Sequence, residues 1–326
     1  MKKKLTLKDI AEKAGVSLTT ASMYLNGKAE KYKISKATCE RIEKAIKENN
    51  YNPNIHARAI AGKKTYLIGV ITVGEINKSF WFDIISGIEE AITPHKYHMI
   101  LSVSHYDAEK ELEAIEFMKT KSVDGLIIGP VSRPEKNNHA FLRKLSKEIP
   151  LVVVSSKLKG LSCAYNDEKT GGELAADFLY KKGHRKIASI GGKENGPQSR
   201  INDFTEALAL KGLDIKRFDN TSDFMLNHKD FTAVFCFSDL MALNLYNDAA
   251  KAGVTIPDEL SVVGYDNMDF VKFLNPGLTT VHQYKKELGV AAAELLMDKL
   301  KNKNIGMKSK AFKPVLKERD SVSIIK

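Results

Sequence analysis

The sequence predicts a small all-α helix-turn-helix headpiece followed by a larger α/β core of two doubly wound parallel sheets. Three observations predict it. Of a net charge of +11, most sits at the start: residues 1–64 carry fifteen Lys/Arg against six Asp/Glu, and residues 65–326 carry 36 against 34. Three short capped helical patterns fill that basic stretch. From Tyr66 onward, short apolar runs alternate with amphipathic stretches, the pattern of strands covered by helices on both faces.

In the basic stretch, Thr6-Leu-Lys-Asp9 reads as an N-cap with an acidic partner three residues on, a variant of the capping box. Leu7, Ile10, Ala11 and Ala14 then share one helical face, and Gly15 supplies a left-handed C-cap. Ser17 is a second N-cap, after which Ala21, Tyr24 and Leu25 continue an apolar face. Ser35 caps a third helix, in which Ile42, Ala45 and Ile46 recur at helical spacing and which Asn49-Asn50 ends. Two helices across a tight glycine turn, with a third behind them, are the helix-turn-helix pattern. Pro53 interrupts the chain, and IHARAIAGKK then reads as a short helix ending at Gly62. So short and polar a helix is marginal alone, so it reads as a linker that is helical only in company. The expected division is 1–50 headpiece, 51–65 hinge helix and linker, and 66–326 core.

In the core, LIGVI (67–71), YHMILSV (97–103), DGLIIG (124–129), PLVVVS (150–155), KIASIG (186–191), AVFCFS (233–238) and LSVVGYD (260–266) read as buried strands. Helical stretches separate them at 82–93, 107–121, 137–147, 168–182, 199–211 and 239–252, and a last one follows at 286–303. Such sheets bind ligands at the C-terminal ends of their strands.

Composition and motifs exclude several classes. No apolar run approaches the 18–20 or so residues a membrane helix needs. The charged residues Lys8, Asp9, Glu12 and Lys13 follow MKKK too closely for a signal-peptide apolar region, so a cytoplasmic protein is expected. Cys39, Cys163 and Cys236 are odd in number and widely spaced, as free thiols in a reducing compartment would be, and neither a metal nor a cofactor is expected. No enzyme motif stands out: Gly69 and Gly74 have phosphate-loop spacing but are followed by Glu75-Ile76, and IGGKENG lacks dinucleotide-binding spacing. The basic headpiece points to nucleic acid or an anionic membrane surface, and its helix-turn-helix pattern favours DNA.

The segments LTLKDIAEKAGVSLTTASMYLNGK (5–28), YNPNIHARAIAGKKTYLIGVI (51–71), VDGLIIGP (123–130), GHRKIASIGG (183–192), SDLMALN (238–244) and IPDELSVVGYDNMD (256–269) resemble, in order, the LacI/GalR transcriptional regulators. The longer GKAEKYKIS (27–35) is similar to the branch of fructose- and sucrose-responsive repressors. The resemblance implies a DNA-binding headpiece, a hinge helix, and a two-lobed core like the periplasmic binding proteins. It also implies a homodimer on a near-palindromic operator, with a small-molecule effector, a sugar or sugar phosphate, controlling DNA affinity. The lobes would comprise about 66–160 plus 290–326 and about 161–289. No leucine-heptad tail follows Arg319, so a dimer rather than a tetramer is expected.

In such a headpiece the second helix enters the major groove, which places Leu18, Thr19, Ser22 and Met23 near base edges. Many family members carry Arg where Met23 stands, and Met cannot make arginine's bidentate contact to guanine, so the operator is expected to differ there. Lys8, Thr20, Asn26, Lys28 and Lys33 are the expected positioning contacts, and Thr6 is a further DNA-binding candidate. Ile60 falls where the family has a leucine wedge in the minor groove, accompanied by Asn54, His56 and Ala57. For the effector, the resemblance implies Phe80, Trp81, Ser155, Arg200, Ser238, Asp239 and Asp266. Departures are Ser238 for a usual Asn, Ser155-Ser156 for Asp-Arg, Asp203 for Gly, and a segment 212–230 shorter by about one helix. They keep open a ligand-independent or co-repressor-dependent regulator. A cytosolic sugar-binding protein is the remaining alternative, against which residues 5–62 weigh.

Overall fold

The computed structural model describes residues 5–25, 27–51, 64–74, 79–131, 137–191, 199–302 and 304–325. The chain forms two compact units, Met1–Thr65 and Tyr66–Lys326.

The first unit holds α1 (Leu7–Lys13), α2 (Leu18–Leu25) and α3 (Lys36–Glu48). Its caps are those the sequence predicts. Thr6 and Asp9 form a reciprocal capping box, Ser17 Oγ accepts from Thr20 N–H at 3.0 Å, and Ser35 Oγ accepts from Thr38 N–H at 3.2 Å. Gly15 turns the chain between α1 and α2 at φ +63°, a conformation that costs glycine little. Ile10, Ala14, Ile42 and Ala45 form the core, with Val16, Tyr24, Ile46 and Tyr51 packed against it. The longer connection before α3 is itself a folded turn, closed by Tyr32 N–H to Lys28 O at 3.1 Å and Ile34 N–H to Ala29 O at 2.9 Å.

The second unit contains two six-stranded sheets. In the first, β1 (Leu67–Thr72) lies between β2 (His98–Val103) and β3 (Gly125–Ile128), followed by β4 (Leu151–Val154), β5 (Ser162–Asn166) and β11 (Ser309–Phe312). All of these pairings are parallel. In the second, β6 (Ile187–Ile190) lies between β7 (Lys216–Phe218) and β8 (Ala233–Cys236), followed by β9 (Ser261–Asp266), β10 (Thr279–His282) and β12 (Val315–Lys317). Only β12 runs antiparallel to its neighbour. The strands β1, β3, β4, β6, β8 and β9 are almost wholly buried, as continuous apolar runs between two helical layers should be.

The helices of this unit are α4 (Ser79–Ile92), α5 (Ala108–Thr120), α6 (His139–Leu145), α7 (Glu168–Lys181), α8 (Ser199–Ala209), α9 (Thr221–Met225), α10 (Asp239–Ala252) and α11 (Lys285–Lys301). One apolar cluster joins α4 and α11 to the first sheet through Ile84, Ile88, Leu288 and Leu296. Another joins α7 and α8 to the second sheet through Ala175, Leu179, Ile201 and Phe204.

The lobe boundaries differ from expectation. The expected second lobe, about 161–289, includes Ser162–Asn166, but that strand lies in the first sheet. Its sequence SCAYN is too polar to register as an apolar run. Helix α11 begins at Lys285 and packs on the first sheet. The expected first-lobe tail is also divided: β11 extends the first sheet, and β12 pairs with β10 in the second. The chain therefore crosses between lobes three times, after β5, after β10 and after β11. The segment 212–230, expected to be short by about one helix, holds β7 and the five-residue α9.

Candidate functional site

In the first unit, α2 turns Ala21 fully inward and rests Tyr24 on the core. Leu18, 51% exposed, and Thr19 are left on the outside at its N-terminal end. An apolar side chain held this open beside a hydroxyl suits a thymine methyl beside a base-edge acceptor. Ser22 and Met23 are half-buried one turn on. Thr20 and Thr6 serve first as capping partners: Thr20 Oγ1 lies 2.8 Å from Ser17 Oγ, and Thr6 Oγ1 donates to Asp9 at 2.7 Å. Lys28 and Lys33 are exposed on the turn before α3, with Lys33 at φ +51°. Asn26, Asn54, His56, Ala57 and Ile60 lie outside the described residues.

In the second unit, the strand ends carry the unusual features. Ser155, directly after β4, has φ +68°, and Asp266 and Asn267, at the end of β9, have φ +108° and +48°. Such conformations cost non-glycine residues of order 1–3 kcal/mol each and persist where surrounding contacts over-determine them. Here Arg319 is the support: it donates to Leu278 O at 2.6 Å and to Asn267 Oδ1 at 2.8 Å.

Asp266 and Arg200, which sequence reasoning placed in one site, do meet. Arg200, in the first turn of α8, donates to Asp266 Oδ1 at 3.2 Å and to Phe237 O at 3.1 Å. It also grips Glu168, the first residue of α7, through Nε at 3.1 Å and Nη2 at 2.9 Å. The guanidinium lies over the rings of Tyr265, at 4.0 Å, and Phe237, at 4.5 Å. Burial opposes its charge, but Glu168 and then Asp266 outweigh burial and hold its pKa above the ordinary arginine value. Burial pushes the Asp266 carboxyl up, against the pull of Arg200 and Lys285.

Three participants escaped the sequence reading. Glu168 is the first-turn acid of α7 beside the N-cap Asp167, a placement favourable in any helix. Gln283 follows β10, which no apolar run announces; its side chain donates to Asp266 Oδ1 at 2.6 Å and accepts from Asn166 at 2.9 Å. Lys285, nearly buried, donates to Asp266 O at 3.2 Å and pairs with Asp83 of α4 at 3.4 Å. These residues tie the strained end of β9 to the crossovers and to the first lobe.

Asp239 and Trp81, two more of the expected ligand residues, are enclosed by the protein. Asp239 is fully buried, and its carboxylate accepts from Met268 N–H at 2.7 Å and Thr280 Oγ1 at 2.5 Å. It fastens the turn after β9. Trp81, 4% exposed, lies in the first turn of α4 rather than before that helix. Its indole fills the space over Gly129, where an added Cβ would come within 2.1 Å, and half-buried Phe80 meets it edge-on at 5.6 Å. Ser238 caps α10, accepting from Met241 N–H at 3.3 Å, and remains half-buried.

Burial, then the neighbouring Asp266, pushes the Asp239 carboxyl up to about 8. A carboxyl raised on folding contributes stability below its unfolded pKa of about 3.9 and loses it as pH rises. The loss is complete above the folded value. Asp239→Asn is therefore expected to flatten the melting-temperature profile between about pH 4 and 8, where that loss accrues. Parallel profiles of the two proteins across that window would show that the Asp239 carboxyl is not raised on folding.

Among the described residues no group of three His, Cys, Asp or Glu is placed to hold a metal, and no helix is long and apolar enough to cross a membrane.

Comparisons with known proteins agree with this architecture. Residues 6–54 match the bacterial regulatory proteins of the lacI family, and residues 176–322 match the periplasmic binding protein-like domain. The HTH-type transcriptional repressor PurR of Photobacterium profundum is 30% identical over 334 residues, covering 97% of this chain and 98% of that protein. The HTH-type transcriptional regulator DegA of Bacillus subtilis is 32% identical over 302 residues, covering 88% of each. In fold, the chain is similar to the lac repressor dimer bound to operator and the anti-inducer ONPF, with TM-score 0.85, 24% identity, and coverage of 98% of this chain and 100% of that one. A LacI family transcriptional regulator from Enterococcus faecium with bound ribose superposes at TM-score 0.70 and 28% identity, over 80% of this chain and 100% of that one. A helix-turn-helix headpiece and a two-lobed core, shared with a relative along nearly the whole length of both chains, place this protein in the lacI family of bacterial transcriptional regulators.

Proposed function

We propose that the chain is a cytoplasmic repressor that binds a near-palindromic operator as a homodimer and is controlled by a sugar or sugar phosphate at the strand ends of its core. The observation that carries the DNA reading is α2: its inner face is fixed by Ala21 and Tyr24, leaving Leu18 and Thr19 outermost. Two such helices related by a twofold axis read two half-sites. Lys28 and Lys33 are the proposed phosphate contacts, and Ile60 the minor-groove wedge with Asn54, His56 and Ala57 beside it. The ribose seen with the Enterococcus faecium regulator and the operator seen with the lac repressor support this reading by similarity. No enzymatic activity is proposed, because relatives matched over nearly the whole chain are named as repressors. For the effector, Asp266 and the cleft faces of Phe80 and Ser155 are the proposed contacts.

The test is a gel-retardation series on the DNA upstream of the protein's own gene. A dimer neutralising roughly 6–10 phosphates is expected to lose about 10³–10⁵ in affinity between about 50 and 200 mM salt. Failure to retard any fragment of that region at the lowest salt would overturn the DNA reading.

A further inference from the structure

Among the described residues, Arg200 is a cation that an anionic ligand at these strand ends would seek, and most of its donors are already committed. A guanidinium has five N–H donors. Four of them are used here, two by Glu168, one by Asp266 and one by Phe237 O, which leaves one Nη2 donor. Glu168 takes the bidentate geometry in which arginine otherwise grips a ligand phosphate or carboxylate. It also stands at the N-terminal end of α7, where the helix dipole favours negative charge. The carboxylate thus fills the arginine fork.

Further carboxylates lie close to this pair. Lys285 is engaged by Asp83 and by the Asp266 backbone. Asp203 lies one turn along α8 from Arg200, and burial, then Glu206 and Glu168, push its carboxyl up. Among the described residues, the carboxylates Glu168, Asp266, Asp83 and Asp203 gather about Arg200 and Lys285, while Lys169 acts on Asp203 and Arg319 is engaged by Asn267. A phosphorylated ligand would have to displace Glu168, leaving a carboxylate without its cation, or sit against it with like charge. Either is unfavourable in a largely buried setting. A ligand rich in hydroxyl donors meets no such obstacle. Asp266 uses only Oδ1 for its side-chain hydrogen bonds to Arg200 and Gln283, and Oδ2 carries none among the described residues.

We propose that Glu168 is a built-in anion which makes the cleft select an uncharged, polyhydroxylated effector and reject phosphorylated or carboxylated ones. The proposal rests on the effector reading above and narrows it to one ligand class. Glu168 acts as a specificity residue through Arg200.

The test uses the full chain and inorganic phosphate as probe, with chloride at matched ionic strength as reference. Phosphate affinity is followed by calorimetry and by thermal shift in wild type, Arg200→Lys, Glu168→Gln, Glu168→Ala and the Glu168→Ala/Arg200→Lys double variant. Phosphate held by headpiece lysines is common to all five, so the differences report the cleft. Wild type is expected to show no phosphate binding beyond that of Arg200→Lys. Glu168→Ala is expected to gain a saturable site at least roughly tenfold tighter, the scale of a charge-assisted hydrogen bond, and the double variant to lose it. Glu168→Gln, which keeps the shape and removes the charge, is expected to fall between. Arg200-dependent phosphate binding by wild type would overturn the proposal, a result that needs no variant at Glu168 to fold. So would a folded Glu168→Gln that binds phosphate no better than wild type. Operator retardation by the same preparations separates the two ideas: a protein that retards the operator yet binds phosphate through Arg200 is still a regulator, with a different effector class.

Discussion

Arg200→Ala is expected to lower the stability of the core by roughly 3–5 kcal/mol, the usual cost of removing one partner from a buried ion pair. The loss exceeds that of a surface charge because two carboxylates depend on this guanidinium. Glu168 and Asp266 have side chains 19% and 9% exposed, and both would be left without their main cation. The ring contacts to Tyr265 and Phe237 would go as well. The substitution is also expected to abolish the effector response, since Asp266 loses the group that orients it. The headpiece is a separate compact unit with its own core, so operator binding measured well below the melting temperature is expected to persist. Urea unfolding and an operator titration with and without effector read the two effects independently. An unchanged unfolding midpoint would mean that the Arg200 network does not hold the end of β9. An unchanged dose response would remove Arg200 from effector recognition.

Gly289→Ala is expected to cost about 3 kcal/mol or more, toward the upper end of overpacking effects. Helices α4 and α11 pack backbone against backbone: a Cβ on Gly289 would lie 2.0 Å from Ile84 O, and one on Gly87 would lie 2.1 Å from Lys286 O. Neither obstacle is a side chain that can turn aside. Relief requires the helices to separate, which opens the cluster formed by Ile84, Ile88, Leu288 and Leu296. Gly87→Ala should behave alike, and the double variant should cost less than the sum because one separation relieves both contacts. Thermal unfolding of the three proteins checks this; a Gly289→Ala protein as stable as wild type would contradict the close approach.

What was legible in the sequence follows from which interactions are local. The Thr6–Asp9 box and the Ser17 and Ser35 caps join residues three apart, so their spacing alone discloses them. The central strands are legible because burial on both faces demands unbroken apolar runs such as LIGVI and LVVV. Strands β5, β7, β10, β11 and β12 were missed because they are short and mixed in polarity. SCAYN, KRF, TTVH, SKAF and VLK contain no run that periodicity can detect. With β5 and β12 unseen, the crossovers between lobes were misplaced.

The ligand cleft was legible only in part for a related reason. Resemblance points to Arg200 and Asp266, but spacing cannot say which way a side chain leaves a strand end. Asp239, three residues after Cys236, closes the end of β8, turns inward, and fastens the turn that carries Asp266. Glu168 carries no signal beyond favourable helix-start chemistry. Its significance depends on Arg200, 32 residues away, folding onto it.

The central claim is that α2 reads a specific DNA sequence, and a specificity ratio tests it most directly. Affinity for the retarded upstream fragment is compared with that for a scrambled fragment of equal length, at one fixed salt concentration, for wild type and a Leu18→Ala/Thr19→Ala variant. Wild type is expected to prefer its own site by about 10³-fold or more. The variant should lose most of that preference while binding scrambled DNA unchanged, because phosphate contacts carry nonspecific affinity. Equal affinity of wild type for the two fragments would contradict the claim, as would a variant whose preference is undiminished.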